Sequence, residues 1–145
     1  MSSEVNYQRQ IAAPPERVFD TFTSPEGQSE LYGRDEPGWI VESECDLRVG
    51  GAWSVRFGPS ADELYRHDYV FEAIEPPGRV LATVTETRLD GWSFDLTVEW
   101  TFESHEGGTL MTMLQSGFPT EELRHEHTLG VPHAFDRLER VIVAP

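Results

Sequence analysis

The chain has 145 residues, enough for one domain with a sizeable core. Its 11 basic residues, all arginine, stand against 26 acidic ones, and the resulting formal charge of −15 repels phosphate backbones and anionic headgroups, which excludes nucleic acid and membrane surfaces as expected partners. Cys45 is the single cysteine, no apolar run approaches the ~18 residues of a membrane span, and Met1 to Ile11 lacks an apolar signal core, so the expected setting is the cytoplasm, without an intrachain disulfide.

Val5, Tyr7, Arg9 and Ile11 alternate with polar residues and predict a first strand with a mixed face. Proline and an acid in the first turn, with Val18, Phe19 and Phe22 at helical spacing, predict a short helix over Pro15 to Phe22. Ser24-Pro25-Glu26 repeats that start signal and predicts a second helix, Pro25 to Leu31, the pair forming a bent lid. After a polar loop, Trp39 to Leu47 and Ala52 to Phe57 read as strands joined by a turn at Arg48-Val49-Gly50-Gly51. A turn at Gly58 to Asp62 leads to a longer strand, Leu64 to Glu75. It carries Tyr65, His67, Tyr69, Phe71 and Ala73 on one face, and Leu64, Val70 and Ile74 on the other. Arg79 to Arg88 is rich in β-branched residues and threonine, hence another strand. Glu86 and Arg88 share one of its faces and are expected to make a surface ion pair of small consequence.

Asp90-Gly91 is a hairpin signal. The next segment has the clearest pattern in the chain. From Trp92 to Glu103, the residues Trp92, Phe94, Leu96, Val98, Trp100 and Phe102 alternate with polar ones, which a strand with one apolar face explains and a helix does not. A second turn at Glu106-Gly107-Gly108 precedes the last strand, Thr109 to Gly117. Met111 and Met113 lie on one of its faces and Leu110 and Leu114 on the other, and alternation alone leaves open which faces inward. Phe118 to Pro145 reads as helical, capped by Thr120, with a break or kink expected near Val131 because Gly130 and Pro132 interrupt it. Phe135, Leu138, Val141 and Ile142 form its apolar stripe.

Hairpin-connected strands followed by one long helix imply an α+β architecture, with a curved antiparallel sheet laid on that helix. Such curvature leaves room for a cavity between the two. The aromatic-rich faces nominate its lining: Trp39, Trp53 and Phe57 from the early strands, and Tyr69 and Phe71 from the next. Phe94, Leu96, Val98 and Trp100 follow from the alternating strand, with Met111 and Met113 from the last one and Val131, Phe135 and Leu138 from the helix. His67, Tyr69 and His127 are the candidate acid/base residues. His125 and His127 are two apart, so on a helix they point away from each other; no metal site is expected, and no cofactor.

Five segments, in order, resemble one known family: Ile11-Ala12-Ala13-Pro14-Pro15-Glu16-Arg17-Val18-Phe19, Thr23-Ser24-Pro25-Glu26, Asp46-Leu47-Arg48-Val49-Gly50-Gly51-Ala52-Trp53, Phe71 to Leu81, and Gly107 to Met113 with Gly117-Phe118. The chain is similar to the activator of heat-shock-protein-ninety ATPase homologue (AHSA-type) family of the START-like, or SRPBCC, superfamily. The resemblance implies a helix-grip fold, with seven antiparallel strands curled around a long C-terminal helix over a hydrophobic cavity. It departs from the family pattern where Val131, rather than tryptophan, follows Gly130, and where Asp68 and Tyr69 replace a glycine before the Val-Phe-Glu segment. The superfamily includes lipid carriers, aromatic cyclases and co-chaperone domains, so fold alone assigns no chemistry.

The expected function is non-enzymatic binding of a small apolar or aromatic molecule. An enzyme of cyclase, dehydratase or hydrolase type in the same pocket is the alternative, favoured if two or more ionisable groups converge on the cavity. A chaperone-regulatory role, with the stress response it would imply, rests on the family resemblance alone, and a chaperone partner is not expected. A homodimer is compatible with the sequence.

Overall fold

The computed structural model describes residues 4–144; Pro145, the last residue of the expected terminal helix, lies outside the described residues. The elements are β1 (Glu4–Ile11), α1 (Pro15–Phe22), α2 (Pro25–Leu31), β2 (Ile40–Cys45), β3 (Ala52–Ser60), β4 (Glu63–Glu75), β5 (Arg79–Thr87), β6 (Ser93–His105), β7 (Gly108–Ser116) and α3 (Glu121–Ile142). The strands form one seven-stranded antiparallel sheet in the order β1-β7-β6-β5-β4-β3-β2, curved around α3 in a helix-grip fold. No helix among the described residues is long and apolar enough to cross a membrane.

The alternation in β6 sets the interior. Phe94, Leu96, Val98, Trp100 and Phe102 are all buried, while the intervening Asp95, Thr97 and Glu103 are exposed. Trp92 stands outside this series. The chain is still in the hairpin there, with Arg88 N–H bonded to Trp92 O, and the indole is 46 % exposed. In β7 the inward residues are Thr109, Met111, Met113 and Gln115, which settles the choice left open by alternation in favour of the methionines.

Two strands differ from expectation through irregular register. A bulge in β4 between Phe71 and Ala73 shifts the pairing, so Ile74 comes opposite Val80 and packs on the core instead of facing outward. Strand β3 runs to Ser60, so the turn before β4 shrinks to Ala61 and Asp62. Gly58 permits this, because a Cβ there would sit 2.0 Å from Glu63 O.

The two short helices form where their start signals stand. Ser24 Oγ accepts the Gly27 N–H at 3.0 Å, and Thr120 Oγ caps α3 by accepting from Leu123 N at 3.2 Å. The α1 residues Val18, Phe19 and Phe22 are core rather than lid, with Phe22 against Trp53, Trp100 and Phe102. Helix α3 continues through Pro132, so of the expected break or kink the break does not occur. Proline removes one internal hydrogen bond and crowds the preceding turn, costing about 3 kcal/mol. Burial of Leu123 and Val131 before the proline and of Phe135, Leu138 and Ile142 after it holds both halves against the core and offsets that cost. Arg9 adds a tie from β1, donating to Asp136 at 2.6 Å and to the Pro132 carbonyl at 3.3 Å.

Candidate functional site

Between the sheet and α3 lies a cavity of about 320 Å³, at the lower end of the roughly 300–1,000 Å³ typical of small-molecule pockets. Its apolar wall combines Phe22 from α1, Phe57 from β3, Phe94 and Trp100 from β6, Met111 and Met113 from β7, and Val131 and Phe135 from α3. Of the nominated lining, these residues other than Phe22 are brought together with Tyr69. Trp53, Phe71, Leu96, Val98 and Leu138 are buried behind the wall instead. Trp53 stacks on Tyr69 with ring centroids 4.3 Å apart, and so fixes that ring without facing the space. Trp39 precedes β2 and spends its indole N–H on the Tyr32 carbonyl at 3.0 Å.

One end of the cavity is polar, and four elements build it. Sheet register places Glu86 of β5 directly across from His67 of β4, with Tyr69 two residues along the same face. His127 comes from α3, and Tyr32 from the C-terminus of α2. Glu86 Oε1 receives the His127 Nε2 at 2.9 Å and faces the His67 Nε2 at 3.4 Å. The other His67 nitrogen, Nδ1, is 2.7 Å from the Tyr32 hydroxyl, which makes a short hydrogen bond with the Tyr69 hydroxyl. The His127 Nδ1 lies 2.9 Å from the Leu123 carbonyl, one turn back on α3.

Burial alone would push the Glu86 carboxyl up, but His67 and His127 outweigh it and hold it down at about 2. For His127, burial acts to lower the pKa, and the Glu86 carboxylate together with the Leu123 carbonyl more than restores it, leaving it raised. Burial raises both phenols, Tyr32 and Tyr69, so they remain neutral hydroxyls. The arrangement is therefore an ion pair extended by a neutral hydrogen-bonded chain. It can orient a polar group on a ligand or move a proton at it. Both imidazoles lie against one carboxylate oxygen, His127 hydrogen-bonded to it and His67 within ion-pair distance, and among the described residues no group of three His, Cys, Asp or Glu is arranged to hold a metal ion.

Glu86 is not the surface partner of Arg88 that its strand position suggested. It is 6 % exposed, and Arg88 pairs instead with Glu126 of α3, at 3.2 Å across the cavity rim. The signal was present: Val80, Ala82 and Val84 occupy the inward positions, and the next one in that series is Glu86. Tyr32, Gln115 and Arg137 also line the cavity without having been singled out. Arg137 donates twice to the Leu31 carbonyl, at 3.2 and 2.9 Å, and so anchors the end of α2 that presents Tyr32. Nothing local to Tyr32 marks it, since its role depends on the approach of β4.

Solved structures share this fold. A protein from Mesorhizobium loti is 25% identical over 96% of this chain and 96% of its own, with a TM-score of 0.77. One from Chromobacterium violaceum is 23% identical, covering 95% of this chain and 96% of its own at a TM-score of 0.80. One from Rhizobium leguminosarum is 19% identical, covering 96% and 93% at a TM-score of 0.82. No curated protein matches the chain. The sequence profile described as Activator of Hsp90 ATPase homolog 1-like protein matches residues 12–142, nearly the whole span of the helix-grip fold, and the chain belongs to that family.

Proposed function

We propose that the protein binds a small, mostly apolar aromatic molecule in the cavity between the sheet and α3. The observation that carries this reading is the wall itself: aromatic and thioether side chains from sheet and helix enclose about 320 Å³ that the protein does not fill. Trp100 stands on that wall, and Trp53 directly behind Tyr69, so occupancy should change the intrinsic fluorescence. A panel of one- and two-ring aromatic compounds should give saturable quenching. Ala134→Phe, placed where Ala134 lines the cavity, should abolish it without loss of fold. Absence of any saturable change, together with no adduct in native mass spectrometry, would overturn the reading.

A second reading, acid/base catalysis on the bound molecule, is favoured by one observation: Glu86, His67 and His127 converge on a single carboxylate oxygen at the cavity. A compound recovered unchanged after long incubation supports carriage. A product whose formation is lost in Glu86→Gln, with binding retained, supports catalysis.

A further inference from the structure

We infer that the polar end of the cavity accepts a hydrogen bond from its occupant, and that the occupant is therefore a hydroxylated aromatic molecule. The inference rests on the ligand-binding reading above and specifies the chemistry of the ligand.

The direction of the hydrogen-bonded chain carries the argument. His127 faces an acceptor at each ring nitrogen, the Leu123 carbonyl and the Glu86 carboxylate, both at 2.9 Å. Neither can donate while Glu86 is ionised, so both nitrogens of His127 carry protons and the ring is a cation. Glu86 thus stays charged, with the same oxygen 3.4 Å from the His67 Nε2. A lone pair on that nitrogen would face an anion, so Nε2 carries a proton; the His127 cation already balances the one carboxylate, and a second buried cation would have no anion of its own, so Nδ1 is left as the acceptor. The Tyr32 hydroxyl, 2.7 Å from Nδ1, gives it its only proton. The contact between the two phenols can then be made only by the proton of Tyr69. The chain runs one way, from Tyr69 through Tyr32 and His67 to Glu86. Tyr69 meets the cavity with no proton to give and a lone pair to fill.

A second observation points the same way. Gln115 lines the same cavity from β7, is 6 % exposed, and its buried Oε1 has no hydrogen-bond partner. The site therefore holds acceptors lacking donors. A cationic donor is disfavoured, because His127 already balances the Glu86 charge and Arg137 also lines the cavity. The flat rings of Phe57, Phe94, Trp100 and Phe135 suit an aromatic body. A neutral hydroxyl on an aromatic ring satisfies all of these constraints.

The test is isothermal titration of the full chain with 2-naphthol, 2-methoxynaphthalene and naphthalene. These share one ring system and differ in offering a donor, only an acceptor, or neither. The naphthol should bind about tenfold more tightly than the other two, the effect of one net hydrogen bond. Tyr69→Phe should remove that advantage, so that the naphthol binds no more tightly than the ether or naphthalene in that variant. Tyr32→Phe should free the Tyr69 proton, so that the ether gains affinity and approaches the naphthol. Equal binding of naphthol and ether by the unaltered protein, or an unchanged ratio in both variants, would overturn the inference and leave the ligand-binding reading standing. Failure of all three compounds to bind would overturn that reading and this inference with it.

Discussion

Glu30 and Glu86 are both shielded from solvent, 3 % and 6 % exposed, yet the protein treats the two carboxyls in opposite ways. Glu86 accepts a charge-assisted hydrogen bond from His127 at 2.9 Å and has His67 beside it, and its pKa falls to about 2 despite burial. Glu30 lies in the corner between α2 and α3. Arg34 and Arg140 approach it only to 3.6 and 4.0 Å, too far for hydrogen bonds, and its Oε2 has no hydrogen-bond partner. Burial, reinforced by the neighbouring Asp35, raises its pKa. Low solvent exposure therefore does not by itself fix the charge of an acid. The donors in contact with it do, and only at Glu86 are those donors aligned.

The largest expected effect follows from breaking the aligned case. Glu86→Ala leaves His127 and His67 buried without their anion and should reduce the free energy of unfolding by about 3 kcal/mol or more, the usual loss on removing one partner of a buried pair. Urea denaturation at pH 6 measures it. Glu30→Gln removes a charge that was never well satisfied, and should change stability by less than about 0.5 kcal/mol or raise it. Equal losses at the two sites would show that low exposure, not alignment, governs both.

The contrast also explains what the sequence reveals. Elements whose signal is local can be read directly: the alternation of Phe94 to Phe102, the caps at Ser24 and Thr120, and the order of strands between short turns. The polar end of the cavity has no local signal. Tyr32, His67, Glu86 and His127 come from four elements and meet only once β4 and β5 are in register and α3 is laid across them. An acid at the end of a threonine-rich strand looks solvated until the inward series Val80, Ala82 and Val84 is continued by one step. Ile74 and Pro132 show the reverse failure. Periodicity misplaces Ile74 because it does not register the bulge, and of the break or kink that proline chemistry predicts, packing suppresses the break.

The next effect is the pH dependence, where the two acids should differ in sign. Glu86 has a depressed pKa, so its contribution is complete above its unfolded value, near 4.5, and is lost as pH falls towards about 2. His127 has a raised pKa, so its contribution is complete below its unfolded value of about 6.5 and is lost as pH rises through the folded one. Together they give a plateau between about pH 5 and 6.5, with stability falling on both sides. Glu30, raised like His127, favours the fold most below its unfolded value and less as it ionises. Unfolding free energies from pH 3 to 8 should show the acid limb flattened in Glu86→Gln. Glu30→Gln should instead reduce the loss as pH rises above the unfolded value near 4.5. An unaltered acid limb in Glu86→Gln would refute the ion pair as its source.

The smallest effect belongs to the exposed counterpart of these buried groups. Arg88 and Glu126 meet at 3.2 Å on the cavity rim, with side chains 39% and 45% exposed. Water competes for both charges, and holding two long side chains in one geometry opposes the Coulomb gain. A double-mutant cycle should therefore give a coupling below about 0.5 kcal/mol, and salt near 0.5 M should remove most of it. The Glu86–His127 cycle should be several-fold larger and respond little to salt, because no ions reach a pair at that depth. A salt-insensitive coupling above about 1 kcal/mol at Arg88–Glu126 would mean that the rim is as dry as the interior. The low-dielectric region around Glu86 would then extend to the cavity mouth, and Arg88 would join the groups that hold an occupant in place.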